Sequence, residues 1–336
     1  MADVDIFSIK PTVISRDLSA KYILLYSKPK VGKTSFAAQL PRNLFLATEI
    51  GYNAINGITA QKITKWGDIR AVIKQLKDPR ARELFDTVTI DTISIAADLC
   101  EKFILAREGV TKLNEIPYGQ GWKMVSKELS DTLREITMLG FGLILICHSK
   151  EKQSPYTDAE GNALTSVEPD LNKNIYTVCN AICDLIAYIG VEFDANGQAT
   201  RWLYTRQTPT IFAGSRWKYL KSKIPFGYSE LVEAIGDAIE MQGKLDGATI
   251  VDHIEADTTV EKSFDELMQE TKDNWVRYLN GAATDEEKEH RLNILKDIIN
   301  RIFGSPDFKI SQAVPSQKDL VQMFLTEMHD LLKDPK

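Results

Sequence analysis

Cysteine is scarce: the 336 residues hold four, Cys100, Cys147, Cys179 and Cys183, and no CxxC pair. Each lies in an apolar run. Cys179 and Cys183 share a helical face at i,i+4, but no histidine or second cysteine pair completes a zinc site. A disulfide scaffold and a zinc ribbon are thereby excluded, leaving buried thiols in a reducing compartment. Long hydrophobic runs are also missing. Stretches such as Leu143–Cys147 are far shorter than the ~20 residues that span a bilayer. The opening MADVDIFSIKPTVISRD carries early acids and no apolar h-region, so the expectation is a soluble cytoplasmic protein with no membrane partner. Nor is there an excess of positive charge. A net charge of −6 argues against coating duplex DNA by bulk charge, while leaving room for a local basic groove. Internal repeats and low-complexity segments are absent too.

What remains is an ordinary globular balance, 43% hydrophobic and 26% charged, in a chain long enough for one large domain or a core with an appendage. The first two-thirds alternates short apolar runs with amphipathic stretches. Tyr22–Tyr26, Leu44–Ala47, Thr87–Ile90 and Leu143–Cys147 read as buried strands. Thr34–Leu40 (stopped by Pro41), Thr92–Arg107 and Met124–Leu139 read as helices. Continuous apolar strands separated by helices predict an α/β fold with a mostly parallel sheet covered on both faces. A polar stretch from Ser149 to Asn174 leads to a short helix. Leu185–Phe193 and Thr200–Tyr204 then flank Asp194-Ala195-Asn196-Gly197, which predicts an antiparallel hairpin at the sheet edge. From about Gly243 the apolar spacing is helical and the segment carries about seven net negative charges. The expected division is a core over residues 1–242 and an acidic helical region over 243–336.

The chemistry concentrates in Ser27-Lys28-Pro29-Lys30-Val31-Gly32-Lys33-Thr34-Ser35, between a buried strand and an amphipathic helix. That context is the one a Walker A loop requires. Backbone N–H groups wrap phosphates, the helix N-terminus adds its positive dipole end, and Gly32 permits close approach. Lys33 then reaches the β- and γ-phosphates of ATP, and the Thr34 hydroxyl ligates Mg2+. The pattern GxxxxGK[ST] departs at its first position, where serine stands for glycine; serine is small enough for the loop to close, though a left-handed backbone there would be mildly strained, and slowed turnover belongs to the switch alternative below. Phe85–Thr92 supplies a second acid: a buried run ending in Asp91, suited to support the metal, although an aspartate there is equally placed to cap the helix that follows. Glu49, after the second strand, faces the crevice at the C-terminal sheet edge, where it can polarise the attacking water or be a solvated loop acid. His148 ends the fourth strand at the same edge, as a γ-phosphate sensor or a structural histidine.

The ordered segments YSKPKVGKTSFA, LFLATEIG, FDTVTIDT and LILICHSK resemble the phage-encoded RecA-like ATPases of single-strand annealing recombination systems, over roughly residues 21–239. The resemblance implies a RecA-like P-loop core, with Lys33 and Asp91 at the reacting phosphates, Glu49 as catalytic glutamate and His148 as sensor. It further implies single-stranded DNA binding, homo-oligomers with ATP sites at interfaces, a single-strand-binding protein as partner, and residence in the bacterial host cytoplasm. The region after Gly243 lies outside it.

One stretch supports nucleic acid independently. Between Asp194 and Glu230 there is no acid, yet Arg201, Arg206, Arg216, Lys218, Lys221 and Lys223 interleave with Trp202, Tyr204, Trp217 and Tyr219. Cations that track phosphates and aromatics that stack bases suit single strands. A half-buried edge hairpin with protective charges has the same composition. Arg216 is also a candidate arginine finger. The polar loop after His148, with Lys150, Lys152, Tyr156 and Lys173, is a weaker DNA candidate because five acids share it. The expected function is an ATP- and Mg2+-dependent ATPase acting on single-stranded DNA in recombination or replication. A non-catalytic nucleotide switch or loader docking on a protein, and a small-molecule P-loop kinase, are the alternatives.

Overall fold

The computed structural model describes residues 14–15, 18–51, 55–247, 249–251, 262–305 and 307–333. Two compact units divide the chain, one within Lys10–Thr258 and one beginning at Thr259. The first begins with β1 (Ile14–Ser15), β2 (Tyr22–Ser27), α1 (Lys33–Ala37), β3 (Asn43–Ala47) and β4 (Thr59–Lys62). Next come α2 (Trp66–Leu76), α3 (Arg80–Leu84), β5 (Thr87–Asp91), α4 (Ile93–Glu108) and α5 (Gln120–Met138). It continues through β6 (Gly142–Thr157), β7 (Ala163–Pro169), α6 (Lys173–Ile182), β8 (Leu185–Phe193) and β9 (Ala199–Tyr204). It ends with β10 (Gly214–Ser215), β11 (Lys223–Pro225), α7 (Tyr228–Asp246) and β12 (Ile250–Val251).

The central sheet runs β4-β3-β5-β6-β2-β8, parallel throughout, and β9 and β11 extend it antiparallel beyond β8. Apolar residues on both faces of β2, β3 and β6 make this possible, while β5 is apolar on one face (Val88, Ile90) and turns the buried hydroxyls of Thr87 and Thr89 to the other. Leu24, Leu46, Val88 and Leu145 face one core, under α2, α4 and α5; Ile23, Leu25, Phe45 and Ile144 face the other, against α1 and α7. The topology separates the strand before the phosphate loop, β2, from the strand carrying Asp91, β5, by one intervening strand, β6. The edge hairpin forms as expected: the Asp194 carboxylate accepts from the N–H groups of Asn196 and Gln198, and Gly197 takes a positive φ of 77°.

Three expectations need correction. The polar stretch after His148 is not a loop: β6 continues to Thr157 and returns as β7 in a hairpin. Its turn is carried by Asp158, whose carboxylate accepts from Glu160 and Asn162, and by Gly161 at φ 86°. Helix α1 ends at Ala37, earlier than Pro41, because the next N–H groups bond three residues back: Gln39 to Phe36, Leu40 to Ala37. Buried Asn43 also donates to the Ala37 carbonyl at 2.8 Å. Finally, a division after residue 242 falls inside α7, which buries Leu231, Ile235 and Ile239 and stops at Gly247, φ 74°.

The second unit is helical: α8 (Phe264–Asn280), α9 (Asp285–Phe303) and α10 (Lys318–Lys333). A Ser263–Glu266 capping box starts α8 and Thr284 caps α9. Its own core gathers Tyr278, Leu295, Ile298, Phe324 and Met328. Among the described residues no helix is long and apolar enough to cross a membrane.

Candidate nucleotide-binding site

Parallel pairing brings the C-terminal ends of β2, β6, β5 and β3 to one edge. Ser27 stands opposite His148, Asp91 opposite Ile146, and Ala47 opposite Asp91, so that Thr48 and Glu49 leave the sheet beside Asp91. Side chains 57 positions apart in sequence thereby meet: the Thr34 hydroxyl donates to Asp91 Oδ2 at 2.7 Å. Asp91 is not the cap of α4. Thr92 occupies that position, and the Asp91 carboxylate is turned to Thr34 instead.

The phosphate loop, Ser27–Ser35, is built on a fully buried first residue. Ser27 is the last residue of β2, so its backbone is extended, not left-handed, and carries no such strain. Positive φ falls instead at Lys30 (64°) and Gly32 (114°). The Ser27 hydroxyl accepts from Lys33 Nζ at 3.0 Å, and the same ammonium donates to the carbonyls of Ser27 (3.2 Å) and Lys28 (3.0 Å). Serine at this position thus supplies an acceptor that glycine lacks. Burial lowers the Lys33 pKa below its ordinary value, opposed by the negative charge of Asp91. Burial raises that of Asp91, opposed by the Thr34 hydrogen bond and reinforced by the Glu49 carboxylate. Both shifts disfavour the charged forms on which phosphate and cation binding depend, a pattern concentrated at functional sites.

Glu49 Oε1 accepts from the Thr92 hydroxyl at 3.2 Å and lies 3.5 Å from His148 Nε2. The Thr92 N–H in turn donates to Thr48 Oγ1 at 2.7 Å. His148 Nδ1 is buried without a hydrogen-bond partner. Lys33, Thr34, Asp91, Glu49 and His148 therefore form one constellation. Among the described residues no three His, Cys, Asp or Glu side chains cluster as a self-sufficient metal site. Thr34 and Asp91 would hold magnesium only together with oxygens of a bound phosphate. Their 2.7 Å contact, a hydroxyl and a carboxylate oxygen side by side, is a donor set of the oxygen type that magnesium takes.

The basic aromatic stretch is distributed otherwise. Arg201 donates to the Val31 carbonyl of the phosphate loop at 2.9 Å, across 170 residues. Arg206 donates to the carbonyls of Ser215, Trp217 and Lys218. Arg216 pairs with Asp184 at 2.9 Å and donates to the Ala181 carbonyl. Trp217 is 7% exposed and packs in the core under α7. Lys218 and Tyr219 both meet Asp246, while Lys223 pairs with Glu192 and lies 4.5 Å from the Trp202 ring centroid. Lys221 is exposed. The acids that engage these groups come from α6–β8, β8 and α7, outside the acid-free stretch, so composition could not reveal them. Sequence reading missed what Thr48 and Thr92 do: two threonines, each next to an acid at a strand end, were the available signal.

A family model described as AAA domain matches residues 19–217. A curated relative, the SPbeta prophage-derived uncharacterized protein YorG of Bacillus subtilis (strain 168), is 26% identical, covering 98% of this chain and 99% of its own. Among solved structures, the flagellar accessory protein FlaH of Methanocaldococcus jannaschii aligns at 12% identity and TM-score 0.33, over 62% of this chain and 85% of that one. With the match spanning more than half its length, and with the phosphate loop, Asp91 and Glu49 all inside it, the chain belongs to the AAA domain family and carries a nucleotide-binding P-loop ATPase domain.

Proposed function

We propose that this protein hydrolyses ATP with Mg2+, and that single-stranded DNA in phage recombination or replication is what the hydrolysis serves. The observation that carries the hydrolytic reading is the Glu49 carboxylate, oriented by Thr92 and His148 at the sheet edge that Thr34 and Asp91 share. Lys33 and the loop N–H groups bind the phosphates. Bound magnesium supplies neutralisation of the charge that develops on the β- and γ-oxygens. Thr34 and Asp91 would hold it from the protein side. Glu49 accepts a proton from the attacking water, and the Thr92 hydroxyl fixes which carboxylate oxygen stays free to do so. His148, in the strand between the phosphate loop and Asp91, meets the Glu49 carboxylate through Nε2. A γ-phosphate that drew either side chain away would break that contact, which supports reading His148 as a sensor.

The DNA reading draws on the motif order and on the prophage origin of the similar protein in Bacillus subtilis. The extended backbone of Ser27 supports turnover over a stalled, non-catalytic site. Phosphate release from ATP, measured with and without single-stranded DNA and with Lys33→Ala as blank, tests both parts. Turnover that DNA stimulates and the variant lacks is the expected result. Turnover indifferent to DNA would remove the DNA part alone, and no turnover above the blank would remove the hydrolytic part.

A further inference from the structure

We infer that Arg201 is a positioning residue of the nucleotide site, acting in cis through the Val31–Gly32 peptide. The inference rests on the phosphate-loop reading above and adds to it a residue from the antiparallel edge. Arg201 lies on β9, two strands from β2, opposite Val191 of β8. Its Nη1 donates to the Val31 carbonyl at 2.9 Å, and its guanidinium lies 5.2 Å from the centroid of Phe226. That ring stacks on Phe36 of α1 at 5.6 Å, so the clamp is anchored to the helix that begins at the loop. Among the described residues Arg201 has no carboxylate partner, and its charge acts on the peptide undiminished by an ion pair.

Peptide geometry turns this contact into a statement about phosphate binding. The Val31–Gly32 bond is trans, and in a planar trans peptide the C=O and the N–H point in opposite directions. Holding the Val31 oxygen toward β9 therefore directs the Gly32 N–H to the other face of the loop. Among the described residues no acceptor takes that N–H. It is the donor that a Walker A loop offers to the α/β-phosphates. A cation on the carbonyl also polarises the peptide and strengthens the N–H as a donor. Glycine is required for two reasons at once: φ is 114°, and a Cβ would stand 2.8 Å from Arg201 Nη1 and 3.4 Å from the Phe226 ring. An arginine held on its own chain's loop is not reaching into a neighbour's site.

A donor aimed at phosphates present in ATP and ADP alike contributes equally to ground and transition states, so its loss raises KM and leaves kcat. In the full-length protein, Arg201→Gln should weaken ADP binding, read by titration calorimetry, by about tenfold or more, the range of a charged hydrogen bond. The KM for ATP should rise in parallel, with kcat within about twofold. Arg201→Lys restores the charge without the fixed fork and should recover part of the affinity. Because the side chain is exposed, the melting temperature without nucleotide should stay close to that of the unaltered protein, which separates positioning from folding. ADP affinity within about twofold for Arg201→Gln would overturn the inference, as would a kcat loss at constant KM, since that marks a group acting on the transition state. Lys33→Ala is the control for the underlying reading. If the unaltered protein binds no ADP, both readings fall; if it binds ADP and only Arg201→Gln is silent, this one falls alone.

Discussion

Replacing Glu49 by glutamine changes the basicity of one side chain and little of its surroundings. The Glu49 side chain is 36% exposed, and its Oε1 accepts from Thr92 Oγ1 at 3.2 Å, a bond a glutamine oxygen can accept equally. No buried charge is stranded, so the stability change should stay within about 0.5 kcal/mol, which in a unit of this size is about 1–2 °C in melting temperature. The phosphate loop, Thr34 and Asp91 are untouched, and ATP affinity should be retained. What disappears is the proton acceptor. Losing a general base slows turnover about 10²- to 10⁴-fold, equivalent to about 3–5 kcal/mol of barrier. Steady-state phosphate release alongside equilibrium ATP binding and a thermal melt separates the three quantities. Turnover within about threefold of the unaltered protein would refute the assignment of Glu49 as base. A large drop in affinity or melting temperature would show that the carboxylate is structural.

Three further outcomes are expected. Gly32→Ala forces a side chain into φ 114° and against Arg201, which should cost about 1–3 kcal/mol and weaken ADP binding; an unshifted melt with intact affinity would contradict the loop geometry. Burial raises the Asp91 pKa, so its contribution to stability is present below the ordinary carboxyl value of about 3.9 and lost as pH rises through the folded-state value. Asp91→Asn keeps an acceptor for Thr34. It should therefore melt higher than the unaltered protein at pH 7, with the gap closing on acidification, while Mg2+-dependent ATP binding is lost; a lower melt at pH 7 would count against the burial argument. Ending the chain after Val251 removes helices that pack on a hydrophobic core of their own, and ADP affinity should change less than about threefold. Calorimetry on that fragment would expose any contribution of the helical unit to the site.

Much of the nucleotide site was legible in the one-dimensional pattern because its chemistry is local. A five-residue apolar strand followed by SKPKVGKTS dictates a loop, a helix N-terminus, a lysine and a hydroxyl within nine residues. Runs that are apolar at every position, such as Leu143–Cys147, can be buried only between two layers, which announces a parallel sheet. The acids at strand ends, Glu49 and Asp91, follow from the same rule, since parallel strands deliver their C-terminal ends to one edge. Strand order is not local. That β6 lies between β2 and β5, and so sets His148 beside Glu49, comes from the pairing of segments more than fifty residues apart. The β6–β7 hairpin escaped notice because β6 beyond His148 is mostly polar and the apolar residues of β7, Ala163, Leu164 and Val167, do not alternate. Its backbone pairs mostly with its own return strand, and beyond the hairpin Val167 bonds to Thr210 and Phe212, a contact local sequence cannot show. Tertiary structure alone decided the fate of the acid-free basic stretch. Charge counted along the chain treats Arg201, Arg206 and Arg216 as equivalent. The sheet hands one to the phosphate loop, one to backbone carbonyls and one to Asp184, because a long cationic side chain pairs with whichever oxygens folding brings within reach.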